Sequence, residues 1–164
     1  MNQSFSRIWK GFWQLADPKI WIASTIPMGV GTALAFNLTG KFNFYWFVTA
    51  LVGVYLIEIG KNAVNEIIDY KSGVDKLVEE KNRTPFSGGK KTIVDGILTI
   101  KEVKIIAYLT LGTAAVIGLY ISFFREFLVL YIGGAGLLLS IIYSIPPFKL
   151  CYRGFGEITV GITF

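Results

Sequence analysis

Apolar residues along this chain fall into long, nearly unbroken runs, not into an alternating pattern. Four runs are long enough to cross a bilayer: about Ile20 to Phe36, about Phe44 to the region of Asn65, about Val103 to Phe124, and about Phe127 to Ile145. A spanning helix needs roughly 20 mostly apolar residues for a ~30 Å hydrocarbon core. A fifth run begins at Ile158. Membrane β-strands would alternate with period two, which these runs do not. Ahead of the first run, Phe5, Ile8, Trp9, Phe12 and Leu15 recur at helical spacing. They predict a helix lying in the membrane interface, in its simplest form an aromatic membrane anchor. Ala33-Leu34-Ala35 has the form of a signal-peptidase site, but an apolar signal region is typically ~7–15 residues. The long charged head, with Pro27, Gly29 and Gly31 inside the run, favours a packed helix. The expected fold is therefore all-α: a polytopic bundle of four transmembrane helices plus the start of a fifth.

Composition narrows the function. Of 164 residues, 53% are hydrophobic and only 16% charged, with mean hydropathy +0.56. That leaves too little polar surface for a soluble globule and too much apolar surface for a disordered chain. Histidine is absent, which removes imidazole bases, Ser-His-Asp triads and His-ligated zinc. The lone Cys151 permits neither an internal disulfide nor a cysteine-rich metal site. The net charge of +5 needs no nucleic acid, because the basic residues are sorted by side. Arg7, Lys10 and Lys19 precede the first span. Lys71, Lys76, Lys81, Arg83, Lys90, Lys91, Lys101 and Lys104 lie between the second and third, and Lys149 and Arg153 follow the fourth. Lys41 and Arg125 stand alone on the opposite side, and Lys61 lies within the second span. By the positive-inside rule, the N-terminus and the 70–101 loop are cytoplasmic.

The end of the second span is unusually polar. At about 100° per residue, Glu58, Lys61, Asn62, Asn65 and Asp69 fall within one sector, with Glu66 beside it. Charges facing lipid cost about 2.5–3.5 kcal/mol each, so this face looks into the bundle or a wet cavity. The alternative is a helix end leaving the membrane, with Glu58 and Lys61 neutralising each other. Asn65 and Asp69 are one turn apart, and Asp75 follows beyond Gly73. An amide oxygen and two carboxylates are hard donors suited to Mg²⁺, which prefers one or two carboxylates plus phosphate oxygens and water. The following Lys81-Asn82-Arg83-Thr84-Pro85-Phe86-Ser87-Gly88-Gly89-Lys90-Lys91 offers cations and glycines to an anion. It is not a Walker A sequence, and a simple turn remains the alternative. Lys149 and Arg153 lie on the same predicted side as further counter-charges.

Asn65-Glu66-Ile67-Ile68-Asp69-Tyr70-Lys71-Ser72-Gly73-Val74-Asp75, followed by Asn82-Arg83-Thr84-Pro85-Phe86-Ser87-Gly88-Gly89, resembles the first aspartate-rich region of the UbiA superfamily of intramembrane prenyltransferases. The spacing of Asn65, Asp69 and Asp75 is similar to that of the 1,4-dihydroxy-2-naphthoate polyprenyltransferases of menaquinone synthesis. Other branches place the last aspartate where this chain has Gly73. Tyr143-Ser144-Ile145-Pro146-Pro147 and Arg153-Gly154-Phe155-Gly156-Glu157 are similar to the family's stretch after the fourth helix. Two departures stand out. Glu66 replaces the Asp of many members, preserving charge. Members also run to nearly twice this length, with about nine helices, and carry a second aspartate motif in the half not represented here. Residues 1–164 thus resemble the N-terminal half of a prenyltransferase membrane domain, with part of the site on the 70–101 loop, and a C-terminal half is expected.

The resemblance implies Mg²⁺-dependent transfer of a polyprenyl group from its diphosphate to an aromatic acceptor, with 1,4-dihydroxy-2-naphthoate expected. It also implies a multi-pass protein of a prokaryotic plasma membrane. Asn65, Asp69 and Asp75 would hold magnesium and diphosphate. Arg83, Lys149 and Arg153 would contact the diphosphate. Lys61 and Asn62 would orient the cluster or the acceptor, or else form a structural polar network. Tyr143 would stabilise a cation through its ring, or else sit at the interface as an ordinary tyrosine. Competing readings are a 4-hydroxybenzoate, homogentisate or glycerol-phosphate acceptor, and a non-catalytic truncated membrane protein or transporter fragment.

Overall fold

A computed structural model describes residues 3–77 and 90–144, with 147–148, 150, 154–155, 158 and 161 near the C-terminus. Among these residues all regular structure is helical. Helix α1 (Gln3–Ala16) leads through a 3₁₀ turn (Pro18–Ile20) into α2 (Ile22–Thr39). Helix α3 (Phe44–Ser72) is followed by the single turn α4 (Val74–Leu77), and then come α5 (Ile100–Phe124) and α6 (Leu128–Ser144). Helices α2, α3 and α5 are long and apolar enough to cross a membrane. The fourth expected span is present as α6, whose 17 residues make it the shortest of the four. The proposed start of a fifth at Ile158 falls almost entirely outside the described residues.

Helix α3 outruns its apolar stretch. The hydropathy pattern places its end near Asn65, yet it continues to Ser72. Its last two turns stay helical because several of their polar side chains find partners within the protein. Ser72 Oγ donates back to the Asp69 carbonyl at 3.0 Å, and Gly73 then takes φ +82° to end the helix. That left-handed conformation favours glycine.

The chain divides into two compact units, and α3 and α5 contribute residues to both. One unit comprises residues 1–22 and 55–113. Its buried centre is Leu15, Ala63, Ile93, Leu98, Val103 and Ala107. Helix α1 is amphipathic, as its spacing predicts. Phe5, Trp9 and Trp13 are exposed and in ring contact along one side, whereas Gly11 and Leu15 are buried. A Cβ on Gly11 would lie 2.5 Å from Leu98 Cγ, so only glycine admits this close approach. Arg7 pins the start of α1 by donating to the Ile97 carbonyl at 2.6 Å and to both Glu102 oxygens at 2.5 and 3.1 Å. Glu102 also closes a capping box on α5. Its carboxylate accepts from Thr99 N at 2.7 Å, while Thr99 Oγ1 accepts from Glu102 N at 3.2 Å.

Helices α3 and α5 touch closely in this unit at Gly60, where a Cβ would lie 2.5 Å from Leu111 Cγ and 2.9 Å from Thr110 Oγ1. Gly112, by contrast, has open space around it. Alanine is a better helix former by about 1 kcal/mol, but overpacking costs about 1–3 kcal/mol. Gly60→Ala should therefore lower stability in detergent by up to about 2 kcal/mol, while Gly112→Ala is neutral or stabilising. Thermal unfolding followed by helicity checks both.

The other unit comprises residues 23–54 and 114–164. No residue of α2 is buried, and Ile22, Ile26, Val30, Leu34, Phe36 and Leu38 are exposed along it. Gly53 on α3 sits against Ile117 on α5, with Ile117 Cγ2 at 3.1 Å from a would-be Cβ. Tyr45 and Tyr120 share a hydrogen bond of 3.0 Å between hydroxyls, and Trp46 lies against the Tyr120 ring. Such a cluster, at the start of α3 and near the end of α5, suits a membrane interface.

Candidate functional site

The polar face predicted on the second span exists, but the tertiary structure divides it among different tasks. Asn65 and Asp69, one helical turn apart on α3, do meet: Asn65 Nδ2 donates to Asp69 Oδ2 at 2.9 Å. Asn65 is exposed and Asp69 half-buried, so the pair presents oxygens at an accessible surface.

Asp75 has quite different surroundings. It lies in the first turn of α4, just beyond the Gly73 turn, and is only 3% exposed. Lys91, itself 2% exposed, donates through Nζ to Asp75 Oδ1 at 2.6 Å and to the Asp75 main-chain carbonyl at 2.7 Å. Asp75 Oδ2 is buried and has no hydrogen-bond partner among the described residues. Removing one member of such a buried pair is strongly destabilising, because the other charge is left uncompensated.

Glu66 is the second buried carboxylate of this region, at 3% exposure. Its Oε1 accepts from Thr92 Oγ1 and from Ile93 N, both at 2.9 Å. Lys91, Thr92 and Ile93 are consecutive, so one short stretch supplies donors to both Asp75 and Glu66. This stretch forms a tight turn. The Thr92 carbonyl accepts from both Ile97 N and Leu98 N at 2.9 Å, and Gly96 has φ +67°. Lys91 has φ +58°, a left-handed conformation uncommon for a residue with a side chain.

Asn62 is occupied in packing. It is buried, and its Nδ2 reaches the Leu15 carbonyl at 3.1 Å and the Ala16 carbonyl at 3.4 Å, holding the last turn of α1 against α3. Of the two roles offered for it by the sequence, the structural network is the one its hydrogen bonds describe. Lys61 donates to Glu58 at 2.6 Å, with Glu58 buried and the Lys61 side chain 43% exposed. This is the neutralising pair that the alternative reading of this helix end contained. Tyr143 lies half-buried near the end of α6. Arg83, Lys149 and Arg153 lie outside the described residues.

Lys90 and Lys91 differ from their expected use. The Gly-rich loop predicts them as donors to a bound anion, yet both are engaged internally. Lys90 pairs with the buried Asp17, and its carbonyl accepts from Gln14 Nε2 at 2.7 Å. Asp17, which has φ +49° between α1 and the 3₁₀ turn, also pairs with Lys19 at 3.2 Å. Sequence spacing could not reveal these partners, since Asp17 and Lys90 are far apart along the chain. The one available signal is general: an acidic residue buried in an apolar protein needs a cation or hydrogen-bond donors.

Asn65 and Asp69 are joined to each other, whereas Asp75 is held in a buried ion pair with Lys91. Asn65, Asp69 and the unpartnered Asp75 oxygen are all oxygen donors. Among the described residues no three acidic, His or Cys side chains converge into a closed cage. An open arrangement of few carboxylates is what Mg²⁺ uses when substrate phosphates complete its shell.

The chain is similar to known proteins. The chain matches the UbiA prenyltransferase family over residues 24–164. It is 30% identical over 150 residues to a 1,4-dihydroxy-2-naphthoate octaprenyltransferase of Bacillus subtilis, covering 92% of this chain and 46% of that protein. A UbiA prenyltransferase domain-containing protein 1 of Dictyostelium discoideum is 30% identical over 140 residues, covering 82% of this chain and 40% of that one. A 2-carboxy-1,4-naphthoquinone phytyltransferase of Synechocystis sp. is 29% identical over 149 residues, with 90% and 45% covered. The chain thus spans less than half the length of these relatives. No solved structure matches it. With apolar helices of spanning length, an acidic face on the second of them and a family match over most of its residues, the chain belongs to the UbiA prenyltransferase family.

Proposed function

We propose that this chain is the diphosphate-binding part of a magnesium-dependent prenyltransferase, with 1,4-dihydroxy-2-naphthoate as acceptor. The observation that carries this reading is the accessible Asn65–Asp69 pair at the end of an apolar helix. The unpartnered Asp75 oxygen supports it, and so do the printed names of the naphthoate relatives.

Each residue's task follows from its chemistry. Asn65 and Asp69 present oxygens to the cation from one turn of α3. Asp75 adds one oxygen from the turn beyond. Arg83, Lys149 and Arg153 supply positive charge to the diphosphate by virtue of their sequence context. Bound magnesium would neutralise the diphosphate and make it a better leaving group. The apolar surfaces of the helices take the lipid tail, and basic residues sort the 70–101 stretch to the cytoplasmic side.

Binding decides between this reading and its rivals. The chain in nanodiscs should bind a prenyl diphosphate saturably with Mg²⁺ and lose that binding in excess EDTA. Ion flux in proteoliposomes without such binding would make it a transporter fragment instead. Acceptor choice is separable: in the protein extended to its relatives' length, turnover with 4-hydroxybenzoate and none with dihydroxynaphthoate would reject the naphthoate assignment alone.

A further inference from the structure

The cation buried beside Asp75 has no task in the reading just given. The Lys91 side chain is turned toward Asp75 and buried with it. Its ammonium is already committed to Asp75 Oδ1 and the Asp75 carbonyl, at 2.6 and 2.7 Å. We propose that Lys91 is a positioning residue for the metal–diphosphate site, holding the Asp75 carboxylate so that Oδ2 is the one oxygen left for a ligand. The inference rests on the assignment of Asp75 to that site.

Three features of the pair support it. An aspartate carboxylate turns easily about its terminal torsion, and a cation bridging Oδ1 to the main-chain carbonyl of the same residue stops that rotation. Next, buried polar atoms are nearly always hydrogen-bonded, so the solitary Asp75 Oδ2 stands out. A pair serving only to tie down the returning chain would have no reason to leave it. Finally, Glu66 sits on the neighbouring Thr92 and Ile93, close enough for its charge and that of Asp75 to interact. One buried ammonium thus lies beside two buried carboxylates, and its hydrogen bonds go to Asp75. Lys91 adopts a left-handed backbone, φ +58°, within this arrangement.

The test uses the chain in neutral-lipid nanodiscs, with Mn²⁺ and inorganic pyrophosphate as probes and bound metal read by electron paramagnetic resonance. Thermal unfolding is recorded alongside. Lys91→Met, and Lys91→Gln as a gentler variant retaining a donor, should unfold at lower temperature because the buried pair is broken, yet in their folded form bind Mn²⁺–pyrophosphate about tenfold more weakly or worse, as expected for loss of a ligand's supporting partner. Lys91→Arg, which keeps the charge, should recover much of the loss. Asp69→Asn reports on the site itself without touching Lys91. If Asp69→Asn loses the metal but folded Lys91→Met and Lys91→Gln bind like the unaltered chain, the role of Lys91 is overturned while the site stands. No binding by the unaltered chain overturns both. If neither neutral variant folds, Lys91 is a folding residue and the proposal falls.

Discussion

Asp69→Asn should weaken metal-dependent prenyl-diphosphate binding by about 100-fold, equivalent to roughly 2.7 kcal/mol, while leaving membrane insertion and helicity unchanged. The substitution keeps the side chain's shape but removes the charge that a divalent cation needs. Asp69 is half-buried and its contact with Asn65 lies at the surface, so little packing depends on it. Equilibrium binding of a labelled prenyl diphosphate, with and without Mg²⁺, measures the effect. In a protein of the relatives' length the same change should abolish transfer. Wild-type-like affinity would remove Asp69 from the site.

The second large effect concerns stability and falls on Glu66. Glu66→Ala should destabilise the chain by about 2–6 kcal/mol, because it strands two donors in a buried place at about 1–3 kcal/mol each. Those donors are the Thr92 hydroxyl and the Ile93 amide, which share a single carboxylate oxygen. Glu66→Gln retains an oxygen at that position and should lose far less. Unfolding in detergent ranks the two, and equal losses would show that the negative charge matters more than the acceptor. Read from the sequence, Glu66 is a mild, charge-preserving variant of a family aspartate. In the fold its longer side chain is what ties α3 to the turn at residues 92–93.

The helices and the acidic face were legible because both depend on neighbours in sequence. Hydropathy over some twenty residues locates α2, α3 and α5, and helical spacing locates α1 with its aromatic side. The meeting of Asn65 with Asp69 follows from the helical rise alone. Helix α3 runs past its apolar stretch because its last turns bury Glu66 and satisfy it, which hydropathy does not register.

By itself, then, the sequence determined an all-helical membrane protein, the spacing of its acidic and amide groups, and its family resemblance. Tertiary structure alone decided which polar groups face outward and which are enclosed. Asp75 and Lys91 are joined across a sequence gap that no helical or strand period relates. Asn62 reaches back to the end of α1, and Lys90 to Asp17. Helical periodicity assigns a side chain to a face, but burial depends on what the returning chain lays over that face. A buried carboxylate keeps its charge only beside a cation or donors brought there by the fold.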